Sequence, residues 1–169
     1  MESFATERLT AERIREDHLA DLVALHLDVD VSRYLGGVRT PEATKKYLAV
    51  AMAHWDQHGF GICALRTRAG AFAGRAGIRH AVVDGAPEYE ILYTLKRELW
   101  GRGLASEVVS ALTAIAGSPL ELPSLVALVA VGNDASCRVL DKSGFTRERT
   151  TMSRGEPVVL YRLQPNASS

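Results

Sequence analysis

Between residues 89 and 116 the chain passes from a largely apolar stretch, through two glycines and an arginine, into an amphipathic segment. That order commits the fold to a strand–turn–helix unit. Tyr89-Glu90-Ile91-Leu92-Tyr93-Thr94-Leu95 is rich in aromatic, branched and aliphatic residues and predicts a buried strand. Leu104, Val108, Leu112 and Ile115 recur at helical spacing, with Ala105 and Val109 widening the apolar face, so a helix is predicted over 104–116. Trp100-Gly101-Arg102-Gly103 joins the two. The glycines permit backbone conformations and close approaches that a Cβ obstructs. A helix starting there aims free N–H groups outward, and its dipole favours a nearby anion by roughly 0.3–1 kcal/mol. Arg102 adds a full charge on a planar fork of donors. The segment suits a phosphate or pyrophosphate, although the same residues also make an ordinary turn.

Two other glycine-rich loops are excluded by their own requirements. A nucleoside triphosphatase loop ends in Gly-Lys-Ser or Gly-Lys-Thr, which this chain lacks. A dinucleotide fingerprint needs a third glycine where this chain has Ser106.

At 169 residues, zero formal net charge and 47% hydrophobic residues, the chain has the composition of one soluble globular domain over 1–169, with a core at about 6–164 and a short polar C-terminal tail. No basic block points to nucleic acid. Cys63 and Cys137 form no Cys-x-x-Cys pair and sit beside no histidine cluster, which argues against structural zinc. There is no signal-peptide pattern and no apolar run near the roughly 20 residues of a membrane span, so a cytoplasmic location is expected. Asn166-Ala167-Ser168 has glycosylation spacing but reads as part of the polar tail.

Alternation over Leu9–Ile14 predicts a first strand. A helix is predicted from Asp17, with Leu19, Leu22, Val23 and Leu27 inward. A second is predicted from a Thr40 cap and Pro41 to Gly59, carrying Tyr47, Leu48, Met52 and Trp55 inward. Ile62–Leu65 and Phe72–His80 read as strands about a turn at Arg68-Ala69-Gly70, and 83–88 reads as a loop. Leu125–Val131 is apolar enough for a strand covered on both faces. A compact helix follows, capped by Asn133 or Asp134 and ended by Gly144, with Val139 and Leu140 inward. Thr146–Met152 and Val158–Leu163 close the chain as an antiparallel pair. The sum is a mixed α/β (α+β layered) fold: one sheet of about seven strands with helices on both faces.

With these residues in place, the sequence resembles the GNAT superfamily of acyl-coenzyme A-dependent N-acetyltransferases, in the branch of the ribosomal-protein N-terminal acetyltransferases (RimJ/RimL-like). Glu90-Ile91-Leu92-Tyr93 followed by Trp100-Gly101-Arg102-Gly103-Leu104-Ala105-Ser106-Glu107 is similar to that branch's strand–loop–helix signature. Asn133-Asp134-Ala135-Ser136 with Lys142-Ser143-Gly144-Phe145 is similar to its Asn-x-x-Ser and Lys-x-Gly-Phe pair, and Thr6-Glu7-Arg8-Leu9-Thr10 fits its usual start. Leu92 stands where the branch often has glycine.

The resemblance implies a mostly antiparallel sheet with a splay between two central parallel strands, and acetyl-coenzyme A (acetyl-CoA) as acyl donor with no metal. It implies that Gly101, Arg102, Gly103, Leu104, Ala105 and Ser106 hold the pyrophosphate, and that the pantetheine arm pairs with backbone near Thr94, Leu95 and Lys96. Asn133 is implied to contact the pantetheine or acyl region, or else simply to cap its helix. Acetylating an amine needs a proton removed and a departing thiolate protonated. Glu90 matches an acidic position at the start of this strand that serves as base in several family members, or is an ordinary strand carboxylate paired with an arginine. Ser136, and after it Tyr161, are the implied proton donors.

The function implied is transfer of acetyl from acetyl-CoA to a primary amine in a ternary complex, by a monomer or homodimer with no nucleic-acid or membrane partner. The acceptor is a protein N-terminus or a small amine such as an amino acid, polyamine or aminoglycoside. The alternative is a non-catalytic acyl-CoA-binding sensor or interaction module on the same fold. Among the remaining residues, His54 and His58 have metal-compatible spacing without a third ligand in view, and read as a solvated helix face. Asp28 and Asp30 read as loop carboxylates or an acidic rim for a cationic amine, and Tyr34, Trp55 and Phe60 as acceptor pocket or core.

Overall fold

The computed structural model describes residues 2–166, so Ala167 and Ser168 of the predicted polar tail lie outside the described residues. Eight strands form one sheet in the order β1-β2-β3-β4-β5-β6-β8-β7. They are β1 Ser3–Ala5, β2 Leu9–Arg13, β3 Ile62–Thr67, β4 Phe72–Val83, β5 Ala86–Leu95, β6 Leu125–Ala130, β7 Thr146–Ser153 and β8 Glu156–Leu163. Every adjacent pair is antiparallel except β5 and β6. Among the strands, β1 is the one the sequence does not announce, because three residues are too few to display a period of two.

The predicted 83–88 loop is corrected to a tight hairpin. Asp84 and Gly85 both take left-handed conformations (φ 50° and 79°), the turn whose twist matches its strands, so β4 runs to Val83 and β5 restarts at Ala86. Arg154 and Gly155 (φ 52° and 78°) close β7 to β8 in the same manner.

Buried residues run consecutively along Ile62–Leu65, Phe72–Ile78 and Leu125–Ala127, which requires cover on both faces of the sheet centre. The cover comes from two helix pairs. Helix α1 (Leu19–Leu27) packs on α3 (Pro41–His58), and α4 (Leu104–Gly117) packs on α5 (Asp134–Lys142). The start of α3 follows from local chemistry: the Thr40 hydroxyl accepts the Ala43 N–H at 3.1 Å, and Pro41 occupies a position that needs no donor. Gly59 ends it at φ 75°. Thr44, Leu48, Ala51 and Trp55 are its buried residues, while Tyr47 and Met52 are half-buried.

Helix α1 corrects its predicted face. A 3-10 turn over Glu16–His18 precedes it, and its buried residues are Leu22, Leu25 and His26. Leu27, the last residue, is 47% exposed where the chain turns into the short helix α2 (Val29–Ser32). Each large side chain sealed in this core, such as Ile14, Leu22, Leu65 or Leu140, contributes roughly 1.5–3 kcal/mol of transfer free energy. Among the described residues no helix is long and apolar enough to cross a membrane.

Candidate functional site

Strands β5 and β6 meet at a single rung, Glu90 opposite Val126. Beyond it β5 continues for five residues and β6 for four without pairing, so the two strands splay apart toward their C-terminal ends. The Lys96 N–H bonds to the Ala73 carbonyl on the β4 side at 2.9 Å. In an antiparallel ladder alternate residues turn their backbone groups away from the partner strand, so Tyr93 and Leu95 present theirs to the splay. The Leu95 carbonyl accepts the Trp100 indole N–H at 3.0 Å, which ties the following loop to the end of β5.

That loop ends in an uncapped helix. Gly101 and Gly103 are both left-handed (φ 75° and 77°), and Gly103 occupies the N-cap of α4, where no side chain takes the first-turn N–H groups. Leu104, Ala105 and Ser106 form that first turn, with Arg102 exposed beside it. Its one acidic residue, Glu107, is turned to structural use. The Arg8 N–H and guanidinium reach its carboxylate at 2.7 and 2.8 Å, and the Thr6 hydroxyl also donates to it. Burial alone would raise the Glu107 carboxyl, yet Thr6 and Arg8 together hold it below its usual range. The same Arg8 bonds the Arg102 carbonyl at 2.8 Å, so the β1–β2 connection braces the loop. Backbone donors, a cation and a neutralised carboxylate form a cradle that fits a pyrophosphate.

The two faces of the splay carry different chemistry. Glu90, 7% exposed, accepts from Arg79 Nε at 2.9 Å across the β4–β5 ladder. Burial alone would lower the Arg79 guanidinium, but the Glu90 carboxylate holds it above its usual range. Glu90 opens on a cleft of about 780 Å³ lined also by Leu128 of β6, by Tyr47 and His54 of α3, and by Arg154 at the β7–β8 turn. Tyr93 lies three residues further along an unbroken register, hence on the opposite face. Its phenol shares a 2.8 Å hydrogen bond with the Ser136 hydroxyl at the start of α5. Burial pushes the Tyr93 phenol up, and the Ser136 contact pulls it part of the way back.

Asn133 caps α5, its Oδ1 accepting the Ser136 N–H at 3.3 Å. Tyr161 is 2% exposed, and its hydroxyl packs against the Cys137 thiol; that contact and burial push the phenol up to about 12. The structure thus brings Glu90 to the cleft face and Ser136 to the opposite face, and sets Tyr161 in the core beneath α5. Tyr93 was not assigned a role from sequence. The signal for it was present in the two-residue period of β5, which places it opposite Glu90, but the partner on α5 is set only by the tertiary fold.

Other expectations resolve locally. Asp28 caps α2, accepting the Asp30 and Val31 N–H groups at 2.9 and 3.1 Å. Asp30 pairs with Arg33 and with Arg97 at 3.0 and 2.6 Å, so neither carboxylate stands free as an acidic rim. Trp55 and Phe60 are core, while Tyr34 is 40% exposed and lies over Gly132 in the β6–α5 connection. His80 joins His54 and His58, with ligand atoms within 4.8 Å of one another. His54, however, uses both nitrogens: Nδ1 faces the Phe60 carbonyl at 2.8 Å, and Nε2 accepts the His80 backbone N–H at 3.0 Å.

A single mixed sheet, splayed between its parallel pair β5 and β6 and carrying an uncapped glycine-arginine helix start at the mouth of the splay, defines a class of acyl-CoA-binding architecture. Residues 8–146 match the family model described as the acetyltransferase (GNAT) domain, and the chain belongs to that family. It is similar to the uncharacterized N-acetyltransferase YoaA of Bacillus subtilis, with 29% identity over 85% of this chain and 82% of that protein. An acetyltransferase structure from Agrobacterium tumefaciens superposes with a TM-score of 0.85 at 26% identity, covering 97% of this chain and 95% of that one. RimL, a ribosomal L7/L12 alpha-N-protein acetyltransferase solved in complex with coenzyme A, shares the fold with a TM-score of 0.77 at 20% identity, covering 96% and 98% of the two chains.

Proposed function

We propose that this protein transfers the acetyl group of acetyl-CoA to a primary amine by direct attack in a ternary complex. The observation that carries the reading is the splay itself, with Glu90 on one face and the Tyr93–Ser136 pair on the other. Acetyl-CoA, when bound, supplies an activated acyl thioester. In this reading the N–H groups at Gly101–Ser106 and the Arg102 guanidinium hold the pyrophosphate. The outward backbone groups of β5 near Thr94, Leu95 and Lys96, Leu95 N–H foremost, hold the pantetheine arm as a further strand would. The Asn133 carboxamide, its oxygen engaged in the cap, keeps its NH₂ for the same arm.

The acceptor amine enters from the cleft face, where Glu90 takes its proton directly or through water. One Glu90 oxygen is fixed by Arg79, which orients the carboxylate and leaves the other oxygen for the amine. On the opposite face the Tyr93–Ser136 pair protonates the thiolate, and Tyr161, held against Cys137, is the more distant donor. Separating base and acid on two faces keeps the proton taken from the amine apart from the one given to sulfur. Neither cysteine is placed to carry the acyl group: Cys63 is 2% exposed with its thiol pushed up to about 12 by burial, and Cys137 packs on Tyr161. Two free thiols also suit a reducing compartment, and the reading takes the cytoplasm as its site.

The test is thiol release from acetyl-CoA over a panel of amines and peptide N-termini, with the wild type beside Glu90→Gln. Turnover of at least one amine is expected, with kcat lowered about 100-fold in the variant and the acidic limb of its pH profile lost. An unchanged profile would remove Glu90 as base, and donor binding without turnover on any amine would leave a binding module instead of an enzyme.

A further inference from the structure

The walls of the acceptor cleft carry a strong charge bias. Arg39, Lys46, Arg79 and Arg154 line it, against one carboxylate, Glu90, which Arg79 already engages. Among the described residues no ion pair is found for Arg39, Lys46 or Arg154.

Beneath the cleft floor the imbalance deepens. Arg75 of β4 is 3% exposed, and its Nε donates to the neutral Nε2 of His26 at 3.1 Å, with no ion pair to a carboxylate among the described residues. The Tyr47 ring lies against two guanidinium groups, Arg75 at 4.7 Å and Arg39 at 5.2 Å from its centroid. The Tyr47 hydroxyl is buried and without a hydrogen-bond partner. A buried guanidinium that meets an aromatic ring and an imidazole but pairs with no carboxylate is costly without an anion, and the half-buried Arg39 beside the same ring adds to the cost. Cations of this kind persist in a binding cleft when a ligand brings the opposite charge, and arginine forks match carboxylates bidentately.

We infer that the acceptor is an anionic amine: a primary amine borne on a body that carries at least one carboxylate, seated against Arg39 and Arg154 while its amino group points to Glu90. The inference rests on the proposed acetyl transfer and deepens it. It selects acidic peptide N-termini and acidic amino acids from the open range of acceptors, and it sets aside polyamines and aminoglycosides, whose multiple positive charges would meet Arg39, Lys46, Arg79 and Arg154 around the cleft. A volume of about 780 Å³ accommodates either a few peptide residues or a single amino acid.

The experiment compares four acceptors in the thiol-release assay: a Ser-Asp-Glu-Asp peptide amide, a Ser-Lys-Lys-Lys peptide amide, free glutamate and spermidine. The acidic peptide, or glutamate where the source is a free amino acid, is expected to exceed its cationic counterpart in kcat/KM by about tenfold or more, with the gap narrowing as salt is raised. Arg39→Gln and Arg154→Gln are expected to raise KM for the acidic acceptor several-fold with little loss of kcat; melting curves identify any variant that fails to fold. Equal or greater use of the lysine peptide or spermidine would overturn the inference, as would a preference that survives both substitutions. Should no acceptor turn over, calorimetry of the same four compounds into the CoA-loaded protein decides. Tighter binding of the acidic compounds, lost in Arg39→Gln, supports an anion-selective cleft while the transfer reading fails; equal or absent binding overturns the inference itself.

Discussion

At the scale of single residues, the site depends on which face of β5 a side chain takes. Glu90 and Tyr93 are three positions apart, and the period of two sends one to the cleft and the other to α5. Tyr93 and Ser136 share a hydrogen bond, and in the proposed mechanism they act as one donor unit, so removing the phenol should act on the departing thiolate and not on amine deprotonation. Tyr93→Phe is expected to lower kcat about 10- to 100-fold, to leave KM for acetyl-CoA within about threefold, and to retain the acidic limb assigned to Glu90. Steady-state kinetics across pH checks this, and wild-type kcat in the variant would leave Ser136 or Tyr161 as donor. The motifs marked Glu90 and Ser136 as candidates, and the fold sets them on opposite faces of β5. Sequence reading could not reach Arg75, His26 and Thr44, because nothing in a linear pattern marks a polar side chain as buried: His26 Nδ1 meets the Thr44 hydroxyl at 2.8 Å across 18 residues, and Arg75 meets His26 across 49.

Among the elements, most were legible because each carried a local mechanism. Thr40-Pro41 and Gly59 bound α3, Asn133 and Gly144 bound α5, and Gly103 starts α4. The exceptions have physical reasons. Strand β1 and helix α2 are held by pairing and by the Asp28 cap over only three and four residues, and α1 is rotated by a 3-10 turn whose His18 packs at 0% exposure against Glu12. The start of α4 rests on a residue far away in sequence. Arg8 neutralises Glu107 and holds the Arg102 carbonyl, keeping negative charge away from the cradle. Arg8→Ala exposes that carboxylate to a bound pyrophosphate, and acetyl-CoA affinity is expected to fall about three- to tenfold with kcat largely kept. Titration calorimetry reads the effect, and Arg8→Lys should recover part of it.

For the whole molecule, one sheet joins the edge strands to the site, and its ionised groups set the acid response. Glu12 is held at about 2, against an ordinary 4.5, chiefly by hydrogen bonds from His18 and then Arg66. Its carboxylate therefore stabilises the fold above pH 4.5, and that contribution is lost as pH falls toward 2. Burial first, then the nearby Arg75 and Arg39, holds His26 down to about 3, against an ordinary 6.5. Between those values the unfolded chain binds the proton and the folded one does not, so acidification below about 6.5 also favours unfolding. Urea unfolding is expected to give stability nearly constant above pH 7, declining below about 6.5 and more steeply below about 4.5, with the lowest limb flattened in Glu12→Gln.

The central claim is that the β5–β6 splay and the glycine-arginine loop together form the acyl-donor site. Calorimetric titration of acetyl-CoA into the wild type and into Gly103→Val tests it most directly, because a β-branched residue cannot hold the left-handed N-cap at φ 77°. Saturable one-to-one binding in the wild type, weakened at least about tenfold in a variant that still melts cooperatively, is the predicted result. No binding in the wild type, or equal affinity in both proteins, would contradict it.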